Sequence, residues 1–235
     1  MKSISQYIKE EFNFRINRDS AKDRYNYFSK TKEELLEIIQ DHYKNNTYDL
    51  NDIDVSQIED FSQLFFDDKN TNKPEFDVSK WDVSNGKTFE EMFYRCEKFN
   101  CDLSKWDVSK GVYFNSMFYR CEKFNSDLSN WDVSNGENFK FMFAGCKKFN
   151  SDLSRWNVSK GQTFSNMFDN CKNFNSDLSQ WDVSNGEDFP WMFYECDKFN
   201  SDLSNWDVSK GKYFTDMFLN CKIKQEFKPK HENIE

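Results

Sequence analysis

The chain has 235 residues, including 26 Phe, 10 Tyr and 7 Trp, with 31% charged residues and a net charge of −9. A mean hydropathy of −0.94 combined with 18% aromatics excludes a disordered chain, which would have few aromatics, and requires the apolar side chains to sit at particular positions. The acidic balance, with Lys and Arg scattered, argues against nucleic acid and anionic membrane, where phosphate neutralisation drives binding. No apolar run approaches the ~18 residues of a membrane-spanning helix. Residues 1–11 lack the apolar stretch of a secretory signal, so the expected location is cytoplasmic as synthesised.

Residues 1–52 follow no period and read as an N-terminal helical capping segment. Residues 3–11 have the pattern of a weak helix. Further on, Thr31-Lys32-Glu33-Glu34 forms a capping box ahead of Leu35, Leu36, Ile38, Ile39 and Tyr43, which predicts an amphipathic helix at about 32–44 that covers the first repeat.

From residue 53 to 221 the chain repeats every 25 residues. Trp81, Trp106, Trp131, Trp156, Trp181 and Trp206 set the period, and Phe93, Phe118, Phe143, Phe168, Phe193 and Phe218 keep step with them. Further columns are Phe89 to Phe214, Met92 to Met217, and Cys96 to Cys221. A degenerate first unit places Ile53, Phe61, Leu64 and Phe65 where later units have Trp, Phe, Met and Phe, and is lengthened within residues 67–75. Counting it and a partial last unit gives about seven units, followed by a polar tail at 222–235. Ahead of each Gly, Asn85, Lys110, Asn135, Lys160, Asn185 and Lys210 alternate, which marks a two-unit block as the element of duplication. A fixed period of this length is the signature of stacked supersecondary units. One unit buries too little to offset the ordering of its own backbone, so stacking is compulsory.

Within a unit, Phe89, Met92, Phe93 and Cys96 fall at i, i+3, i+4 and i+7, which predicts a short helix with one apolar face. Gly86 and its equivalents suit a left-handed turn before it, position 88 reads as an N-cap, and Pro190 fits a first helical turn. The alternation in Trp106-Asp107-Val108 predicts a brief strand. The fold class expected is α/β: a stack of helix-turn-short-strand units.

The ladder cysteines read as buried free thiols, because side-by-side helices would hold them too far apart for disulfides; Cys101, which replaces a Ser, is the thiol expected to be accessible. The Trp and Phe columns read as core. Two carboxylate columns, Asp77 to Asp202 and Asp82 to Asp207 with Asn157 interrupting, read as caps of turn amides, with calcium the alternative. Catalysis has little support: the two His, His42 and His231, lie outside the repeats and the seven Gly are isolated, so no enzyme, catalytic residue, cofactor or metal is expected. Variation on the fixed frame points to Tyr94, Arg95, Tyr119, Arg120 and Tyr194 as candidate partner-binding residues, since Tyr and Arg dominate interface hot spots.

The run Phe-x-x-Met-Phe-x-x-Cys-x-x-Phe-Asn-x-Asp-Leu-Ser-x-Trp-Asp-Val-Ser resembles the bacterial BspA-like leucine-rich-repeat surface proteins, including the mycoplasma-type repeat proteins of unknown function, over residues 53–221. The resemblance implies a leucine-rich-repeat-like solenoid used for adhesion or protein–protein contact, at the cell surface or on a virion. The stretch Phe12-Asn13-Phe14-Arg15-Ile16-Asn17-Arg18-Asp19 resembles the start of small proteins of bacteriophages infecting gut bacteria. The function expected is a monomeric, non-catalytic module contacting a protein or other host macromolecule; a phage-particle component and a calcium-dependent adhesin are the alternatives.

Overall fold

A computed structural model describes residues 25–66 and 75–234; the expected helix at 3–11, the phage-like stretch at 12–19 and most of the lengthened segment of the first unit lie outside these. The described residues open with β1 (Tyr27–Phe28), which pairs in parallel with β2 (Ile53–Asp54) in the first coil. Between them runs α1 (Lys32–Lys44), the helix that the capping box predicts. Thr31 Oγ1 accepts the Glu34 N–H at 3.2 Å, and the Glu34 carboxylate accepts the Lys30 N–H at 2.8 Å, so the box closes on the residue before the cap. Leu35, Ile38, Ile39 and His42 are buried against the first coil, and Lys32 Nζ reaches Asp60 Oδ2 at 3.3 Å and Ser62 Oγ at 2.6 Å.

From there the backbone winds in coils of 25 residues that stack in parallel, bridged at Asp60, Thr88, Tyr113, Asn138, Thr163, Asp188 and Tyr213. Bridged parallel backbones lie ~4.8 Å apart, and every inward column becomes a stack at that repeat. Phe89 and Phe114 rings are 5.5 Å apart, Phe93 and Phe118 5.5 Å, and Trp131 and Trp156 6.4 Å with planes within 1°. Phe61 and Phe65 extend two of these stacks into the first coil, each 5.5 Å from its successor.

The expected helix at 89–96 does not form. Its apolar spacing is produced instead by successive β-turns: Met92 N–H bonds to Phe89 C=O, Tyr94 to Glu91 and Cys96 to Phe93. The intervening amides leave the coil, Phe89, Glu91, Phe93 and Arg95 donating to Tyr113, Asn115, Met117 and Tyr119 at 2.6–3.0 Å. Helices pack 8–10 Å apart; aromatic columns spaced by 5.5 Å cannot be carried on them. Glu91 and Arg95 take φ of +52° and +58°, and the same two positions are left-handed in each later coil, the third place of the turn class that needs positive φ. Pro190 is accordingly the second residue of a turn rather than the start of a helix. Position 88 bridges coils, Thr88 and Asn138 also accepting the N–H two residues on, in a turn rather than at a helix start.

The glycines before each Phe are not left-handed either. Of the seven Gly, Gly145 alone has positive φ. The others are required by close approach: a Cβ on Gly111 would lie 2.3 Å from Phe114 Cζ.

The expected strand at 106–108 is also absent, and its ladder is replaced by side chains. Leu103 N–H donates to Ser126 Oγ at 2.8 Å, and Leu103 C=O accepts the Trp131 indole N–H at 3.0 Å. The same pair recurs at Leu128 with Ser151 and Trp156. The tail is more than polar chain. Ile223 is buried, Phe227 C=O accepts the Leu203 N–H at 2.8 Å, and the His231 ring lies 4.4 Å from Phe214, so the tail folds over the last coil.

Candidate functional site

The inward side of each coil is filled by its own repeated residues, which leaves only the exterior open to another molecule. Each ladder thiol donates to a carbonyl of the preceding coil, Cys121 to Phe93 and Cys146 to Phe118, both at 3.0 Å, and burial pushes the Cys121 and Cys146 thiols far up. The thiols are free, though not for the reason expected. Coils ~4.8 Å apart bring Cα atoms within disulfide range, but in-register Cβ vectors run parallel instead of converging. Cys101 is half-buried, as is Cys221, so it is not uniquely open. It takes the serine's place, with Sγ 3.4 Å from the Val78 N–H and 3.2 Å from Asp77 Oδ1, and burial together with Asp77 pushes its thiol up to about 12.

Both carboxylate columns cap turns. Asp102 Oδ1 accepts the Ser104 N–H at 3.0 Å and Asp107 Oδ1 accepts the Ser109 N–H at 3.0 Å. Asn157 does the same with Ser159 at 3.1 Å. Among the described residues no three His, Cys, Asp or Glu converge to hold a metal ion.

On the exterior, positions 91, 94 and 95 form three adjoining columns. Tyr94 stacks between Phe66 and Tyr119 at 4.7 Å on each side. Phe141 meets Tyr119 edge-on at 5.8 Å. Three cations attend this line: the Arg120 guanidinium lies 5.4 Å from the Tyr119 ring centre, Lys140 Nζ 5.4 Å from that of Phe141, and Arg95 has a buried Nε with no hydrogen-bond partner. Burial, then the neighbouring Tyr119, raises the Tyr94 phenol. Because both faces of Tyr94 are covered by rings, the line offers hydroxyls, ring edges and guanidinium rather than a flat platform for a sugar.

The structure thus brings Tyr94, Arg95, Tyr119 and Arg120 together and leaves Tyr194 out. Ala144 and Asp169 occupy its column in the two intervening coils, and Tyr194 stands in acidic surroundings, its phenol raised by Glu195. Its neighbour Trp191 is 39% exposed and donates to Asp216 at 3.2 Å. Sequence reasoning missed Phe66, Lys140, Phe141 and Trp191. The signal was present: position 91 reads Glu, Ser, Phe, Asn, Trp, Asp, and two aromatics in an otherwise polar column mark rings outside the core.

Chains of this kind, with a fixed inward set on in-register coils and variation confined to the outside, are repeat proteins. This one belongs to a Mycoplasma protein family of unknown function, DUF285, whose profile matches residues 33–152 and again 128–230. No curated protein and no solved structure matches the chain. Among the described residues no helix is long and apolar enough to cross a membrane.

Proposed function

We propose that the protein is a non-catalytic interaction module, a leucine-rich-repeat-like solenoid of the BspA-like type, that presents its aromatic and cationic exterior line to a protein partner. The observation that carries this reading is the unbroken run Phe66–Tyr94–Tyr119–Phe141, flanked by Arg95, Arg120 and Lys140. Inward columns are held constant by packing, whereas this line exists only where the frame permits variation, and Tyr and Arg are the residues on which interfaces depend most. A non-catalytic role is supported by the half-buried thiol at Cys101, held up at about 12 where a nucleophile needs the opposite shift.

The test is a photo-crosslinking amino acid placed at Tyr119 and, separately, at Ser129. Exposure of each variant to lysate of the cognate cells should yield a defined adduct from position 119 and none from 129. Arg120→Ala should lower the yield at 119 several-fold. Identical adducts from both positions, or a yield indifferent to Arg120, would remove this face as the binding surface.

A further inference from the structure

The two ends of the stack are chemically unlike. In the last coil but one, the N–H groups of Phe189, Trp191, Phe193 and Glu195 donate to the carbonyls of Tyr213, Thr215, Met217 and Leu219 at 2.9–3.0 Å. Among the described residues no coil follows the last one; residues 222–234 fold over it instead. Its Phe214, Asp216, Phe218 and Asn220 N–H groups have no acceptor among the described residues, while Met217, Leu219 and Cys221 keep their turn bonds.

The tail covers the rings of this coil, with His231 against Phe214 and Lys228 Nζ 5.7 Å from the Phe218 ring centre. It does not cover the edge. A cavity of about 440 Å³ lies along residues 214–220, closed on one side by Lys228, Asn233 and Ile234.

The occupant must bring acceptors at alternate positions, which an extended backbone supplies through its carbonyls. A second copy does not qualify. Its first coil is sealed by α1 and by Lys32 on Asp60 and Ser62, and two last coils would meet donor to donor. Charge narrows the choice further: residues 222–235 carry Lys222, Lys224, Lys228 and Lys230 against Glu226, Glu232 and Glu235, a tail with one excess positive charge on a chain of net charge −9.

We propose that the last coil is a docking edge for an acidic segment of a partner polypeptide, which joins the stack as one more rung through its backbone carbonyls. Phe214, Asp216, Phe218 and Asn220 supply the amides, and the exposed Lys222 and Lys230 supply the attraction.

Amide hydrogen exchange tests this on the intact chain. The four terminal amides should exchange fast while those of Phe189, Trp191, Phe193 and Glu195 are protected. A peptide reproducing residues 186–198, with four carboxylates against one lysine, serves as the probe and should slow the terminal amides selectively. A peptide reproducing residues 136–148, with one carboxylate against three lysines, should do so much less at low salt. The double variant Lys222→Glu, Lys230→Glu alters exposed side chains and should weaken the acidic peptide several-fold with unchanged circular dichroism. Terminal amides already protected in the free chain, no response to the acidic peptide, or equal protection by both peptides would overturn the proposal. Arg120→Ala, on the exterior line, should leave this response unchanged, so failure here is distinct from failure there.

Discussion

At Leu103 the amide hydrogen goes to the Ser126 hydroxyl and the carbonyl receives the Trp131 indole, so two side chains satisfy a backbone that a sheet would satisfy by itself. The aspartates that directly precede Leu103 and its equivalents act on the same principle. In Asp102, Asp127, Asp152 and Asp177 the backbone N–H of the serine two residues on, followed by its hydroxyl, holds the carboxyl below the usual range. A carboxyl lowered on folding adds stability above its unfolded pKa, about 3.9, and that stability is lost as pH falls through the lower folded value. The contribution of these carboxyls to the melting temperature should therefore be flat from about pH 7 to 5 and be lost steeply below about 4. Changing these four aspartates to Asn should flatten the acid limb and leave the fold intact, because Asn157 already caps Ser159 in this way. Thermal melts across pH decide it: an acid limb of unchanged steepness in the variant would show that these turns do not set acid stability.

At the scale of the element, the unit is defined by where its backbone turns left-handed. Ser116 is buried, has φ of +56° and stands where later coils have Phe141, Asn166 and Trp191. A non-glycine residue there costs about 1 kcal/mol, and a β-branched one more. Ser116→Gly should stabilise by roughly 0.5–1 kcal/mol and Ser116→Val should destabilise by about 1–2 kcal/mol. Urea denaturation measures both, and equal midpoints for the two variants would contradict the assignment of the turn. These turns also explain what was legible in the sequence. The columns were, because Phe89, Met92, Phe93 and Cys96 point inward whether the backbone is a helix or a pair of turns. The backbone was not, because i, i+3, i+4, i+7 spacing is common to both, and in the first full coils the left-handed positions hold Glu91, Arg95 and Arg120. Only Gly145, Asn166, Asn170, Asp216 and Asn220, scattered down the same two columns, carry the residue types that tolerate positive φ. The exterior line was half legible: Tyr94 and Tyr119 share a column and could be read together, whereas Phe141 joins them from a neighbouring column that only the coil spacing brings alongside.

Along the whole molecule the alternation of Asn and Lys has a physical reason. Asn135 Nδ2 donates to Ser109 C=O of the coil before at 2.7 Å, and its Oδ1 accepts from Lys160 of the coil after at 2.7 Å. Asn185 does the same with Ser159 and Lys210. One Asn thus ties three coils, and the block that tiles without conflict is two units long. Because stacked units contribute nearest-neighbour terms, a chain lacking residues 111–135 should still fold, with Lys110 now directly beneath Lys160 and the Asn between them gone. Lys160→Asn then has opposite signs in two backgrounds. In the full-length chain it removes the donor to Asn135 and should destabilise by roughly 0.5–1 kcal/mol. In the shortened chain it removes a like-charge contact and supplies an Nδ2 that can reach Ser109 C=O, and should stabilise by a similar amount. Chemical denaturation of the four chains gives the coupling directly. A substitution with the same sign in both would mean that the alternation carries no interaction between coils and records only how the repeats were copied.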